Sequence, residues 1–119
     1  MNLYINKTDA AGPKIIADDM ILTTHLPTTA GSKMLDGYMS LFEAEVVTRL
    51  KNKGYNVYAK ANTGEFGIDL LGETSYYGAC VDENGVLTNA VSEIIKENKD
   101  QAAVVLDVNG APARAAALS

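Results

Sequence analysis

The sequence predicts an α/β fold in which helices pack on a short mixed β-sheet. Apolar segments of strand length alternate with two amphipathic helical segments, an order typical of layered α/β folds. The chain has 119 residues, which suits one small domain over residues 1–119 with a single modest core.

Three strands are predicted in the first half of the chain. Residues 2–6 and 14–17 have the composition of short strands, and a turn-rich stretch separates them. Residues 23–32 have loop composition throughout. Residues 55–61 alternate between apolar and polar side chains and form the third predicted strand.

The first helix is predicted to begin at Ser40, because Ser40 and Glu43 have the spacing of a capping box. Glu45 and Arg49 are spaced for an ion pair one helical turn apart. Gly54 is expected to end the helix. The predicted inward face consists of apolar side chains: Phe42, Val46, Val47 and Leu50.

A second helix is predicted over residues 88–98, with Thr88 as its N-cap. Its sheet-facing side chains are apolar: Val91, Ile94 and Ile95. Residues 102–108 follow as a final strand, whose near-continuous apolar character is typical of burial on both faces. The core between helices and sheet is predicted to contain six side chains: Val47, Leu50, Ile94, Ile95, Val104 and Leu106.

An alanine-rich segment closes the sequence after the turn at Asn109 and Gly110. Residues 111–119 are too few for an independently stable helix, yet they carry an apolar stripe that includes Leu118. We therefore expect this segment to dock in an interface, either with a second copy of the chain or with a separate chain.

Composition argues against several classes of function. The net charge is −5 and no basic cluster offsets it, so no binding to nucleic acid is expected. No apolar run approaches membrane-spanning length and no signal-peptide pattern opens the sequence, so no membrane association is expected. Cys80 is the only cysteine, which leaves no internal disulfide and favours a cytoplasmic setting.

Four sequence blocks, in a fixed order and spacing, carry a family resemblance: PTTAGS, VVTRLKNKG, KANTGEFG and ETSYYG. They resemble the amidase signature family, in particular the branch formed by the A subunits of aspartyl/glutamyl-tRNA amidotransferases. The resemblance covers about residues 12–119. Members of this family are several hundred residues long, so the resemblance implies a truncated domain that corresponds to their first catalytic portion.

The amidase signature family hydrolyses amides with a Ser–cis-Ser–Lys triad, in which the lysine is the base, the bridging serine relays the proton and the second serine attacks. The family's Lys-Asp-Asn motif corresponds here to residues 17–19, and its Asp-Thr-Gly-Gly-Ser motif to residues 107–111. An ungapped count back from the second motif gives the relay position. The resemblance thus places base, relay and nucleophile at Ala17, Leu87 and Ala111, and none of these side chains has the required chemistry.

Two other groups are candidates to replace the triad. Thr88 is next to the relay position and would take its place if the alignment slips by one residue, although no base accompanies it. Cys80 is a candidate nucleophile, with His25 as its base. The plainer interpretations are a helix cap for Thr88, a buried thiol and a solvated histidine.

Two carboxylates remain beside the vacated positions. The resemblance implies that Asp18 and Asp107 approach one cleft, where a cation or an amine would replace the lost lysine. Two carboxylates alone do not make a metal site, so no metal and no cofactor are predicted. Tyr76 and Tyr77 are expected to pack against the sheet, with a ligand groove as the alternative. The candidate ligand-binding residues are Asp18, Asp107, Asn109, Gly110, Thr88 and Tyr77.

The predicted function is that of an amidase-like pseudoenzyme, which acts as a binding, scaffold or regulatory subunit. One alternative is an amidase or amidotransferase-type hydrolase that is complete only with a partner chain or that uses Cys80. A further alternative is a module that binds a small-molecule amide without turnover. Because apolar faces and a strand edge are expected to be exposed, a homodimer or a complex with a second chain is predicted.

Overall fold

The computed structural model describes residues 2–69, 72–108, 110, 113–114 and 117. The strands are β1 (Tyr4–Lys7), β2 (Lys14–Asp18), β3 (Asn56–Ala61) and β4 (Ala102–Val104). The helices are α1 (Glu45–Asn52) and α2 (Ala90–Glu97), and single 3₁₀ turns lie at Lys33–Leu35 and Glu65–Gly67.

The four strands form one mixed sheet in the order β1-β3-β2-β4, which confirms the predicted fold class. β2 runs parallel to both β3 and β4, and β1 pairs with β3 in the antiparallel sense. The three parallel strands end at the same edge of the sheet, which we call the carboxyl edge. Crevices outside the carboxyl ends of parallel strands are where α/β sheets commonly bind ligands.

A β-bulge between β2 and β3 determines which side chains share a face. The pairing shifts by one residue after Ile15, which leaves Tyr58 as an extra residue in β3. Beyond the bulge Ala17 pairs with Lys60, and paired residues of neighbouring strands direct their side chains to the same side. Lys60 therefore shares a face of the sheet with Ala17.

One helix covers each face of the sheet. Ile94 of α2 belongs to the core cluster that contains Ile16, and Val47 of α1 belongs to the cluster that contains Ala17. Ile16 and Ala17 are consecutive in β2 and point to opposite sides. The two helices therefore lie on opposite faces, which we call the α1 face and the α2 face.

Side chains from both helices reach the core, as predicted. Val47 and Ile94 are buried, and Leu50 and Ile95 are half-buried. Val46, by contrast, is 39% exposed, because α1 turns only a narrow stripe towards the sheet. No helix in the described part of the chain is long and apolar enough to cross a membrane.

Helix α1 begins later than the sequence predicts. It starts at Glu45 after Ala44, which makes no side-chain capping bond. The Ser40 hydroxyl accepts a hydrogen bond from the amide of Phe42 and donates one to its carbonyl, so it fixes a local turn instead of a helix end. Phe42 precedes the helix and is 77% exposed. The predicted capping box and inward Phe42 are wrong, whereas the Glu45–Arg49 ion pair is confirmed at 2.5 Å.

Helix α2 is capped one residue later than predicted. Its N-cap is Asn89, whose side chain accepts a hydrogen bond from the amide of Ser92 at 3.2 Å. The hydroxyl of Thr88 donates to the carboxylate of Glu93 at 2.9 Å instead. Asparagine and threonine are both good N-caps, so the sequence did not distinguish these neighbours and the predicted cap is wrong.

The last strand is shorter and more exposed than the sequence predicts. β4 ends at Val104, which is half-buried, although a strand to residue 108 was expected. Leu106 is 50% exposed and Val108 is 61% exposed. The predicted length of this strand and the core position of Leu106 are therefore wrong, whereas cover of residues 102–108 in an interface stays a prediction. Apolar composition shows that these side chains suit burial, but β4 is an edge strand in the described sheet.

The turn after β4 is held by Asp107. Its carboxylate accepts hydrogen bonds from the amides of Gly110 at 2.6 Å and Ala113 at 3.2 Å. The amide of Arg114 donates to the carbonyl of Gly110 at 2.9 Å, which begins a helical turn. The docking of the final segment stays a prediction. Three residues that the sequence analysis singles out here lie outside the described residues: Asn109, Ala111 and Leu118.

Candidate functional site

A small cavity lies at the carboxyl edge of the sheet. Its volume is about 30 Å³, which is enough to admit water. The loop after β3 and the start of α2 form much of its wall, and Leu106 and Val108 close it on the β4 side. The lining side chains with polar or reactive groups include Asp18, Asn62, Asp69, Cys80, Thr88 and Asn89.

Asp18 reaches the cavity from the end of β2 and is 7% exposed. Its carboxylate accepts a hydrogen bond from the amide of Met20 at 3.1 Å. Burial raises the pKa of Asp18 to about 6, although the hydrogen bond from Met20 opposes the shift; the charge of Asp19 adds to it. Asp18 therefore exchanges its proton close to neutral pH.

Cys80 and Thr88 lie side by side in the cavity wall. The amide of Thr88 donates to the carbonyl of Cys80 at 3.0 Å, and the Thr88 hydroxyl is committed to Glu93. Cys80 is 2% exposed. Burial, together with the charge of Glu93, raises the pKa of the Cys80 thiol to about 11. The thiol is therefore protonated at neutral pH, which makes it a poor nucleophile.

His25 does not accompany Cys80. Its Nε2 atom lies 2.7 Å from the carbonyl oxygen of Val57, near the start of β3, and the residue is exposed. Cys80 lies at the other end of the parallel strands, in the cavity. The structure therefore does not bring the predicted Cys80–His25 pair together.

The polar rim of the cavity is built by side chains that the sequence analysis missed. The amide group of Asn62 donates to the carbonyls of Asn2 at 2.8 Å and Gly78 at 2.9 Å. The carboxylate of Asp69 accepts from the amide and the hydroxyl of Thr74, at 2.8 and 2.6 Å. Asn62 directly follows a predicted strand, and that position at a carboxyl edge is the signal that could have identified it.

A second missed feature lies on the α1 face. Lys60 and Asp19 have no exposed surface, and their Nζ and Oδ1 atoms are 3.6 Å apart. Nζ also lies 2.5 Å from the carbonyl oxygen of Ile21 and 3.1 Å from the hydroxyl of Thr28. Burial lowers the pKa of Lys60 and raises the pKa of Asp19, and the opposite charge of each partner counteracts the shift.

The two described positions that the resemblance assigns to the triad do not lie in the cavity wall. Ala17 is buried on the α1 face, where it packs with Ile21 and Val47. Leu87 forms an isolated β-bridge with Val81. Neither Ala17 nor Leu87 lines the cavity.

The candidate ligand-binding residues divide into two groups. Asp18 and Thr88 line the cavity. Asp107, Gly110 and Tyr77 do not, although the chain neighbours of Asp107 do. The carboxylate of Asp107 is occupied by the amides of its own turn, so it does not join Asp18.

The two adjacent tyrosines lie near the surface. The Tyr77 hydroxyl donates to the carboxylate of Asp36 at 2.6 Å. Tyr76 is 52% exposed and meets the ring of Tyr77 edge-on, with centroids 5.2 Å apart. The expected packing of Tyr76 against the sheet is therefore not found. Among the described residues, no group of three His, Cys, Asp or Glu side chains is arranged to hold a metal ion.

Comparison with known proteins places this architecture in a family. A sequence model described as Amidase matches residues 13–95. The chain belongs to the Amidase family. The match includes Ala17 and Leu87 and ends before Asp107, so the assignment of Ala111 to the nucleophile position rests on the resemblance alone.

Relatives in the Amidase family include A subunits of glutamyl-tRNA(Gln) amidotransferases. The relative from Lactobacillus acidophilus is 41% identical over 78 residues, which is 66% of this chain and 16% of the relative. The relative from Corynebacterium jeikeium is 44% identical over 69 residues, or 58% of this chain and 14% of the relative. This chain therefore spans about one sixth of the length of the curated relatives that it matches.

A solved structure shares the fold. It is the crystal structure of the corresponding glutamyl-tRNA(Gln) amidotransferase chain from Thermotoga maritima, which superimposes with a TM-score of 0.63 at 28% sequence identity. The likeness covers 67% of this chain and 20% of that chain. The mixed sheet described above is therefore part of an Amidase family fold.

Proposed function

We propose that this chain is a catalytically inactive member of the Amidase family that acts as a binding, scaffold or regulatory subunit. The observation that carries the proposal is the chemistry of the cavity. No described residue that lines it has an amine, a guanidinium or an imidazole group. Amide hydrolysis by a side-chain nucleophile needs a base within hydrogen-bond reach of that nucleophile.

The side chains that could in principle serve as nucleophile or base are unsuited to these roles. Cys80 has a pKa of about 11 and lies apart from His25. The amine of Lys60 is directed towards three oxygens on the α1 face and does not line the cavity. Loss of one member of a nucleophile–base unit lowers rates by orders of magnitude, so inactivity is the expected state.

The size of the cavity favours a scaffold over a small-molecule amide binder. Ordinary ligand pockets enclose roughly 300–1,000 Å³, whereas this cavity encloses about 30 Å³. A site of that size holds a water molecule, and an amide substrate would require the wall to open.

Association with a second chain is part of the proposal. Leu106 and Val108 are 50% and 61% exposed beside an edge strand, a combination that soluble proteins usually cover. The matched relatives are named as subunits, which supports a role in an assembly, with a homodimer as the other form. The single buried thiol supports a cytoplasmic setting.

An activity assay tests the inactive state. The purified chain is incubated with glutamine, simple amides and activated esters, beside a heat-denatured control and the variant Cys80→Ser. We expect no turnover above the heated control in either protein. Turnover that disappears in Cys80→Ser would overturn the proposal in favour of a cysteine hydrolase. Turnover that requires a co-purified second chain would favour the alternative of a hydrolase that is complete only with a partner chain.

Sedimentation tests the association. The parent chain is compared with Leu106→Asp and with Val86→Asp, which adds the same charge at another exposed apolar position. We expect an associated parent, and dissociation or aggregation only for Leu106→Asp. A monodisperse monomer at micromolar concentration, unchanged by Leu106→Asp, would contradict the proposal.

A further inference from the structure

Lys60 is fully buried although its side chain ends in an amine. Lysine is almost never fully buried unless it is paired. The three oxygens around its Nζ atom belong to Asp19, Ile21 and Thr28, all in the segment that follows β2. We call residues 19–32 the β2 loop. One side chain of β3 therefore contacts this loop at three points.

Asp19, at the start of the β2 loop, also forms hydrogen bonds with residues near the end of this loop. Its second carboxylate oxygen accepts hydrogen bonds from the Thr29 hydroxyl and, at 3.0 Å, from the Thr29 amide. The amide of Ala30 donates to the carbonyl of Asp19 at 3.2 Å. Lys60 and Asp19 thus hold the start and the end of the β2 loop against the sheet.

The β2 loop in turn holds the segment that follows β3, and we call the described residues of this segment, 62–69 and 72–76, the β3 loop. The carbonyl of Ala30 accepts from the amide of Phe66 at 2.7 Å, and the Ser32 hydroxyl donates to Glu65 at 2.8 Å. A Cβ atom added to Gly31 would overlap the carbonyl oxygen of Thr63. The two loops are therefore in backbone contact.

Both loops contain a non-glycine residue in the left-handed region of backbone space. Ala30 has φ 51° and Phe66 has φ 53°. Such conformations are unfavourable for residues with a Cβ atom and persist where the surroundings hold them. The hydrogen bond from Phe66 to Ala30 joins these two residues, so each loop helps to keep the other in its strained form.

The β3 loop supplies Asn62, Thr63, Gly64 and Gly67 to the cavity wall. We propose that Lys60 is a positioning residue: its buried amine locks the β2 loop onto the sheet, and through that loop it fixes the wall of the cavity at the carboxyl edge. The proposal goes beyond the proposed function, because it concerns how the cavity wall is held and not what the chain binds or hydrolyses.

Cys80 provides a direct readout of this lock. It is the only cysteine, it is buried, and it lines the cavity, so its labelling by a thiol reagent reports how often the wall opens. The variant Lys60→Met keeps the length of the side chain and removes the amine. We expect Cys80 in this variant to react at least tenfold faster, under conditions in which the circular dichroism spectrum is that of the parent.

A matched variant separates local opening from loss of global stability. Ile15→Ala removes a buried side chain of β2 at the end remote from the carboxyl edge. Each variant is measured at the denaturant concentration that gives it the same free energy of unfolding as the other. Under these conditions Cys80 should be labelled faster in Lys60→Met than in Ile15→Ala. Equal rates would mean that Lys60 supports the fold only, and the proposal would fail.

A second variant keeps the test decisive if Lys60→Met does not fold. Thr28→Val removes one of the three partners of the amine and preserves the shape of the side chain. We expect faster labelling of Cys80 and faster hydrogen exchange in the β3 loop, with exchange in α2 unchanged. Parent-like labelling and exchange would overturn the proposal. Neither measurement uses a substrate, so the result is independent of whether the chain hydrolyses amides.

Discussion

The carboxyl edge and the end of the chain after β4 differ in how their polar groups are held. At the carboxyl edge, Lys60 and Asn62 form hydrogen bonds with residues distant in sequence. Among the described residues, a single buried side-chain atom lacks a hydrogen bond: Oδ1 of Asp19, which faces Lys60. After β4, the hydrogen bonds that the side chain of Asp107 makes with described residues are to amides three and six residues ahead, and Leu106 is half exposed.

This difference follows the extent of the family match. Residues 13–95 belong to the matched part, and this part contains the interlocking loops. Residues 102–114 lie beyond it, and there the resemblance assigns a nucleophile motif without its serine. The comparison indicates that, among the described residues, side-chain contacts between segments distant in sequence are concentrated in the part of the chain that matches the family.

Truncation of apolar side chains should give the largest contrast between the two regions. Ile16→Ala removes a side chain with no exposed surface and should lower the free energy of unfolding by about 2–5 kcal/mol. Leu106→Ala should change it by about 0.5 kcal/mol or less, since the side chain is half exposed. Urea denaturation measures both. Equal losses would show that Leu106 is covered, for example in an associated form.

The pH dependence of stability should reveal Asp18. Burial raises its pKa from the ordinary 3.8 to about 6, so the folded chain binds this proton more tightly than the unfolded chain does. The stabilising effect of the protonated form is present below about pH 4 and is lost as the pH rises through 6, with a total of about 3 kcal/mol.

The variant Asp18→Asn removes this titration. Relative to the parent, its free energy of unfolding should improve by up to about 3 kcal/mol between pH 4 and pH 7. Urea denaturation of both proteins at unit pH intervals measures the difference. A difference that stays constant over this range would show that Asp18 has an ordinary pKa and is better solvated than the structure indicates.

Two glycines with positive φ should respond differently to alanine. A Cβ atom added to Gly31 (φ 64°) would overlap the carbonyl oxygen of Thr63, whereas one added to Gly110 (φ 81°) would meet nothing within 4 Å. Both substitutions carry backbone strain of about 1–2 kcal/mol, and the overlap at Gly31 should add about 1–3 kcal/mol. Thermal unfolding compares them, and similar melting temperatures would show that the two loops can separate without cost.

The smallest effect is expected at the end of the chain. Asp107→Ala removes the carboxylate that caps the turn after β4, and should lower the free energy of unfolding by about 1 kcal/mol or less. It should leave the labelling rate of Cys80 unchanged, because the carboxylate does not line the cavity. Faster labelling of Cys80 would place Asp107 in the cavity wall after all.

The fold could be predicted because its signals are local. Alternation in residues 55–61, the apolar residues 14–17 and the periodic pattern around Ile94 each specify an element from neighbouring side chains alone. The helix starts were less certain, since Ser40 and Thr88 carry hydroxyls that can cap a helix or bond locally. The chain used them locally in both cases.

The site was predictable only in part, because its contacts are not local. Asp18 could be placed at a cleft from the family motif, and Asn62 from its position after a strand. The position of Lys60 could not be predicted. Simple alternation along β3 puts Lys60 on the face opposite to Val57, whereas the bulge at Tyr58 places both side chains on the same face. The exposure of Leu106 could not be predicted either, since composition does not show whether a neighbour covers a strand.

Because of its β-bulge, β3 should respond differently to the deletion and to the insertion of one residue. β3 has one residue more than its pairing with β2 requires, so deletion of Tyr58 would give a regular strand in which Lys60 still pairs with Ala17. An inserted residue would not restore regular pairing in this way. It would turn Lys60 towards Ile94 on the α2 face and leave Asp19 behind on the other. In this chain, β3 is therefore expected to tolerate the loss of a residue at the bulge better than the gain of one.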